Sequence, residues 1–200
     1  MTKNIDLYLA SKSPRRRELL TQLGISFDVL AVDIDETQKA SESAEDYVTR
    51  LAREKALAGW KSERDDNKPV LGSDTTVVIR GEILGKPENR DDATRMLKLL
   101  SGQTHQVMTA VSLLDPVNSS EYELNTALNV SDVTFKVLSE LEIAQYVASG
   151  EGEDKAGSYA IQGKAAAFIT HLSGSYSGVM GLPLFETSEL LNKSAISAVF

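Results

Sequence analysis

The chain contains no cysteine, which excludes disulfides, thiolate catalysis and cysteine zinc sites and agrees with a cytosolic setting. Its two histidines, His105 and His171, lack metal-ligand spacing. There is no GxSxG nucleophile elbow and no GxxxxGK[ST] phosphate loop, and the glycines of Ser173–Gly181 lack the dinucleotide-binding pattern. No apolar run is long enough to span a bilayer, and Met1–Asp6 carries too short a run for a signal peptide, so a soluble, cytoplasmic protein with no membrane partner is expected. Positive charge is scarce as well. Lys and Arg number 21 against 29 Asp and Glu, and the net charge of −8 repels nucleic acid, so no nucleic-acid partner is expected. Repeats, low-complexity tracts and long linkers are also missing. With 42% hydrophobic residues, 200 residues can bury a real core, and residues 1–200 read as a single domain with two lobes.

Against that acidic background, Ser11-Lys12-Ser13-Pro14-Arg15-Arg16-Arg17 stands out. Leu7–Ala10 reads as a short strand. Ser13 can cap a helix, Pro14 suits its first position, and Gly24 ends it. A helix N-terminus already carries about half a positive charge, so three arginines there ask for an anion. Free amides, serine hydroxyls and forked guanidiniums suit a di- or triphosphate. A solvated basic turn balanced by Glu18 is the plainer alternative.

The rest of the chain interleaves strands and helices. Ser26–Val32 reads as a strand running into acidic Asp33, Asp35 and Glu36, and a helix is predicted from Ser43 to about Trp60. Val70–Ile79 and Glu82–Lys86 read as a hairpin through Arg80-Gly81. Asp91–Leu100 is helical. His105–Leu114 and Glu121–Val137 read as long strands around the turn-rich Asp115–Ser120. Ser139 with Glu142 forms a capping box for a helix to about Ser149. Ala165–Leu172 is predicted as a strand, followed by a glycine-rich loop to Gly181 and a helix over Pro183–Lys193. The expectation is a mixed α/β sheet.

Two residues break their local pattern. Lys55 falls within the apolar stripe formed by Ala44, Tyr47, Val48, Leu51, Ala52 and Ala58, so it must snorkel to water or meet an anion. Asp74 is the only carboxylate in the apolar run Pro69–Ile79, and an ionised carboxylate is costly to bury unpaired. A Lys55–Asp74 salt bridge would satisfy both groups. A divalent metal or activated water at Asp74, with Lys55 on a phosphate, would do so too. Glu36 could share such a metal, and Lys86, beside Pro87, could touch phosphate. Gln162, between Ile161 and Gly163, could offer a paired donor and acceptor to a base edge. Cations plus carboxylates fit metal-assisted attack of water on a phosphoanhydride better than acyl transfer or redox chemistry.

Seven segments occur in order: Ser11-x-Ser13-Pro14-Arg15-Arg16, Arg53-Glu54-Lys55-Ala56, Gly72-Ser73-Asp74-Thr75, Gly85-Lys86-Pro87, Ser101-Gly102-x-Thr104-His105, Asp154–Gly157 with Ile161-Gln162-Gly163, and Gly181-Leu182-Pro183. Together they resemble the Maf family of nucleoside triphosphate pyrophosphatases, also called septum formation proteins. The resemblance implies a two-lobed α/β fold, a mixed sheet flanked by helices similar to that of inosine triphosphate pyrophosphatases, with the active site in the cleft between lobes. It implies cleavage between the α and β phosphates of a nucleoside triphosphate with a divalent metal, Mg2+ or Mn2+, releasing the monophosphate and pyrophosphate. The family's proton acceptor falls on Asp74. Its phosphate and metal set falls on Ser11, Arg16, Glu36, Lys55 and Lys86, with Glu36 and Asp74 toward the metal. Its base-specificity positions fall on Arg15, Thr75 and Gln162, a combination that looks like the dTTP/UTP branch, whose target can be a modified pyrimidine nucleotide cleared as house-cleaning. A nucleotide-binding regulator of cell division with little turnover is the alternative, and a homodimer is left open.

Overall fold

A computed structural model describes residues 5–62, 67–118 and 120–196. The signal-peptide reading of Met1–Asn4 and the turn position Ser119 lie outside them. The elements run β1 (Leu7–Ala10), α1 (Pro14–Gln22), β2 (Phe27–Val29), α2 (Ala44–Lys61), β3 (Val70–Ile79), β4 (Glu82–Leu84), α3 (Arg90–Leu100), β5 (Thr104–Pro116), β6 (Tyr122–Phe135), α4 (Glu140–Ala148), β7 (Ile169–Ser173), α5 (Tyr176–Met180) and α6 (Leu184–Lys193). Short 3-10 turns cover Ala156–Ser158 and Lys164–Phe168. Among the described residues the strands form one mixed sheet in the order β2-β1-β3-β5-β6-β7, with β4 paired to β3. β1 runs parallel to β2 and to β3, whereas β3–β4 and β6–β7 are antiparallel.

The residues gather into two compact units. Unit 1 takes Met1–Asp74, Thr109–Asn129 and Gly181–Phe200, and unit 2 takes Thr75–Met108 and Val130–Met180. In unit 1, Ala10, Ala56, Val70 and Leu114 are fully buried together, and Tyr8, Leu30, Leu57 and Trp60 pack on them. In unit 2 the core is aromatic. Phe135 meets His105, Tyr159 and Phe168 edge-on, and Tyr146 meets Phe168 in the same way, the arrangement that ring quadrupoles favour.

The predicted helices at Ser43, Asp91, Ser139 and Pro183 are present. Ser43 and Ser139 accept hydrogen bonds from Asp46 N and Glu142 N, and the Ser139–Glu142 capping box is complete. The hairpin turn has Arg80 at φ 52° and Gly81 at φ 81°, the left-handed pair that a two-residue β-hairpin requires.

Four local expectations are corrected. Ser13 stands at the N-cap of α1, but its side chain makes no cap bond. Its amide donates instead to Ser11 Oγ at 3.2 Å. The second strand is only Phe27–Val29. The segment from Ala165 begins as a 3-10 turn, and β7 starts at Ile169, because Glu151 takes the Lys164 and Ala165 amides out of any strand ladder. The glycine-rich loop contains α5, started by Ser175, whose hydroxyl accepts from Gly178 N at 3.0 Å.

Candidate active site

Unit 1 builds its centre on a close helix–strand approach. Gly72 of β3 is buried under α2, and a Cβ there would lie 2.3 Å from Ala52 O and 2.6 Å from Ala56 N. Only glycine fits this spacing. The consequence lies one helical residue and two strand residues away. Lys55 Nζ reaches Asp74 Oδ1 at 2.6 Å and Glu36 Oε1 at 2.7 Å. Lys55 thus meets anions rather than snorkelling, and the salt bridge foreseen for Asp74 is present with Glu36 as a second partner. Asp74 is 7% exposed, so its charge is compensated within the protein, as burial demands.

The loop carrying Glu36 is fastened to α2 by residues that the sequence reading passed over. The Tyr47 hydroxyl donates to Glu36 O at 2.9 Å. Burial, then the charges of Asp74 and Glu36, push the Tyr47 phenol up to about 12. Arg50 forks onto both oxygens of Glu42, at 2.6 and 2.9 Å, and also reaches Glu54 and Thr37 O. This bidentate pair holds the Glu42 carboxyl down at about 2, and Glu42 raises the Arg50 pKa in turn. The sequence shows Tyr47 only as part of an apolar stripe. An Arg at position 50 with acids at 42 and 54 was the available signal, since 50 and 54 share a helix face.

The start of α1 is held by a second set of contacts within unit 1. Arg16 Nε donates to Gly181 O at 2.8 Å, and its Nη1 to Ser11 Oγ at 3.3 Å. Ser73, fully buried, donates to the same Gly181 carbonyl at 3.0 Å. Gly181, at φ 119°, therefore gathers β3 and α1 onto one oxygen. Burial lowers the Arg16 pKa, as does neighbouring Arg15, while Asp74 and Glu36 oppose the shift. The guanidinium still stays charged at neutral pH. Arg15 is half-buried, and no acidic residue occupies the first turn of α1.

Thr75 and Lys86 lie in the first stretch of unit 2, in β3 and after β4, and Gln162 lies in the second, before the Lys164–Phe168 turn. Thr75 is half-buried, and Lys86 and Gln162 are exposed. Gly157, at φ 68° and packed against Val77, donates its amide to Gly85 O at 3.0 Å, which ties the loop before Gln162 to the segment of Lys86. His105 is buried, with Nε2 2.8 Å from Tyr159 Oη, and desolvation pushes it down to about 4. It is a neutral core histidine.

Among the described residues no three His, Cys, Asp or Glu side chains cluster as a ready metal cage. Glu36 and Asp74 nevertheless fit a hard cation. They converge on one ammonium, which stands where a cation would stand. Mg2+ is commonly held by one or two carboxylates plus substrate phosphates rather than by an all-protein cage.

Fold and centre thus define a mixed α/β protein that presents arginine and lysine beside paired carboxylates. The Maf-like protein family profile matches residues 6–194. The chain belongs to the Maf family. It is 52% identical over 193 residues to the dTTP/UTP pyrophosphatase of Pseudoalteromonas atlantica (strain T6c), covering 96% of this chain and 98% of that protein. It is 56% identical over 186 residues to the dTTP/UTP pyrophosphatase of Salmonella typhimurium (strain LT2), covering 93% and 91%. A solved structure of a HAM1 protein from Coxiella burnetii superposes with a TM-score of 0.49 at 18% identity, over 95% of this chain and 100% of that one.

Proposed function

We propose that this chain is a single-domain nucleoside triphosphate pyrophosphatase that hydrolyses dTTP and UTP to the monophosphate and pyrophosphate. The observation that carries the chemistry is the Lys55 ammonium held between Asp74 and Glu36 in the unit that also holds Arg16. The names of the relatives supply the substrate.

Asp74 accepts the proton of the attacking water, and its burial within β3 keeps it oriented. Lys55 exchanges its carboxylate partners for phosphate oxygen when the triphosphate arrives. Arg16, with Ser11 steadying its guanidinium, offsets charge on the phosphate chain, and Lys86 acts with it on the departing pyrophosphate. Glu36 and Asp74 would hold Mg2+ or Mn2+, which supplies charge neutralisation along the triphosphate. Arg15, Thr75 and Gln162 take the base-reading roles that the family resemblance gives them. The Gln162 carboxamide can pair with the adjacent carbonyl and ring N–H of uracil or thymine, whereas cytosine presents the opposite pattern.

A triphosphate panel with pyrophosphate detection tests the reading. dTTP and UTP should be cleaved far better than CTP, ATP or GTP, since mismatched polar groups in a base pocket can cost roughly 10^4-fold in specificity. Comparable rates on ATP and dTTP would overturn the substrate assignment. Nucleotide binding without pyrophosphate release would favour the regulatory alternative.

A further inference from the structure

Gln162 is exposed, and an exposed carboxamide on a loose turn would be a poor reader of a base edge. Its backbone is not loose. Just before it, the Ala160 amide donates to the Tyr146 hydroxyl at 3.1 Å, and that hydroxyl donates on to Glu151 Oε1 at 3.0 Å. Just after it, the Lys164 amide donates to Glu151 Oε2 at 3.1 Å and the Ala165 amide to Oε1 at 3.4 Å. Both flanks of Gln162 thus end on one Tyr–Glu pair, and Gly163 N closes the turn onto Ala160 O at 3.0 Å. The carboxylate lies directly against this turn: a Cβ on Gly163 would sit 2.4 Å from Glu151 Oε1, so any larger residue there would push the Glu151 carboxylate off its place. Tyr146 is itself fixed in the core, 4% exposed and edge-on to Phe168. The Glu151 carboxylate also supplies the acceptors for the first amides of the Lys164–Phe168 turn, whose own N-cap, Gly163, has no side chain to offer.

We propose that Glu151 and Tyr146 are positioning residues for base selection, holding the Gln162 backbone so that its carboxamide meets the pyrimidine in one orientation. The proposal rests on the reading of Gln162 as a base reader. A fixed donor–acceptor pair discriminates because the wrong base leaves it unpaired, and a carboxamide free to swing loses that penalty before it loses the reaction. Residues acting through one another in this way are strongly non-additive.

The test is a double-mutant cycle on the full chain with Glu151→Ala and Gln162→Ala, reading kcat and KM for dTTP and CTP. Glu151→Ala should lower the dTTP-over-CTP ratio of kcat/KM by roughly tenfold, mainly through KM for dTTP, with kcat at saturation within about threefold of the parent. In the Gln162→Ala background it should change the ratio by less than about twofold. Tyr146→Phe keeps the ring in the core and removes the relaying hydroxyl. It should shift the ratio in the same direction by roughly threefold, which keeps the test open should Glu151→Ala fail to fold. Amide exchange should speed at Ala160, Lys164 and Ala165 in both variants. Faster exchange with an unchanged ratio would reduce Glu151 to a fold-stabilising cap and overturn the proposal. An unchanged ratio in Gln162→Ala alone would instead bring down the base-reader reading, and the proposal with it.

Discussion

The two units hold their candidate residues by different means. In unit 1 they hold one another: Lys55 bridges Asp74 and Glu36, and Arg16 joins Ser11 to Gly181. In unit 2, Lys86 and Gln162 stand exposed, and the order lies behind them, in Glu151, Tyr146, Gly157 and the His105–Tyr159 pair. A charged centre pre-assembled from its own functional groups leaves a mark in sequence wherever a charge violates the pattern of its element, as Lys55 does in its helix and Asp74 in its strand. A reader positioned by backbone contacts leaves almost none, because an apolar-face tyrosine in a helix and a glutamate and glycine in turns break no local pattern.

The contrast can be broken most sharply at Asp74. Asp74→Asn keeps the shape and removes the proton acceptor, so turnover on dTTP should fall about a hundredfold or more while the thermal transition remains cooperative. Near-normal turnover of the purified variant would remove Asp74 from the chemistry.

Lys55→Met comes next. It strands two carboxylates around an empty ammonium position, so the chelator-treated variant should lose about 3 kcal/mol of stability and turnover should fall at least about tenfold. Mg2+ or Mn2+ should restore part of the melting temperature, because a cation then replaces the missing charge. A melting temperature indifferent to both the mutation and the metal would show that Lys55 merely covers apolar surface.

Gly72→Ala probes the approach that brings these groups together. Its methyl would drive into the Ala52 carbonyl, costing about 3 kcal/mol in a urea titration together with loss of activity. A variant as stable as the parent would show that α2 and β3 can part without disturbing the centre.

The last test belongs to unit 2, leaves activity aside and is a matter of pH. Burial holds His105 near 4 in the folded protein against its ordinary value of 6.5. Between those values the unfolded chain takes up a proton that the folded chain refuses. This contribution is therefore fully present above about pH 6.5 and is lost as pH falls toward 4, amounting to about 3 kcal/mol across the window. Glu42 and Glu142, held near 2 by Arg50 and Lys136, add their own loss only below about pH 4.5. Urea midpoints measured from pH 7 to 4.5 should slope for the parent and flatten in His105→Gln. Equal slopes would show that the imidazole gains its proton without cost.

Much of this was legible in the sequence for physical reasons. The helices at Ser43, Asp91 and Ser139 announce themselves by caps and apolar spacing, and the Arg80-Gly81 turn by its need for positive φ. Lys55 and Asp74 could be picked out because a charge inside an apolar stripe or strand needs a partner. That Lys55 would also hold Glu36 could not, since the loop between Val29 and Ser43 has no periodicity and its anchor, Arg50 on Glu42, is a contact between a helix and an irregular segment. The strand expected over Ala165–Leu172 begins only at Ile169, because the turn before it is capped by Glu151, thirteen residues upstream of Lys164. Gly72 and Gly157 are visible as glycines, but the helix backbone that requires the first and the turn geometry that requires the second exist only in three dimensions.

Attack of water between the α and β phosphates of a pyrimidine triphosphate is tested most directly by following the products of dTTP by phosphorus NMR. With Mg2+ or Mn2+ present, dTMP and pyrophosphate should appear together in equal amounts. Release of dTDP and inorganic phosphate, or dTTP that binds and stays intact, would contradict it.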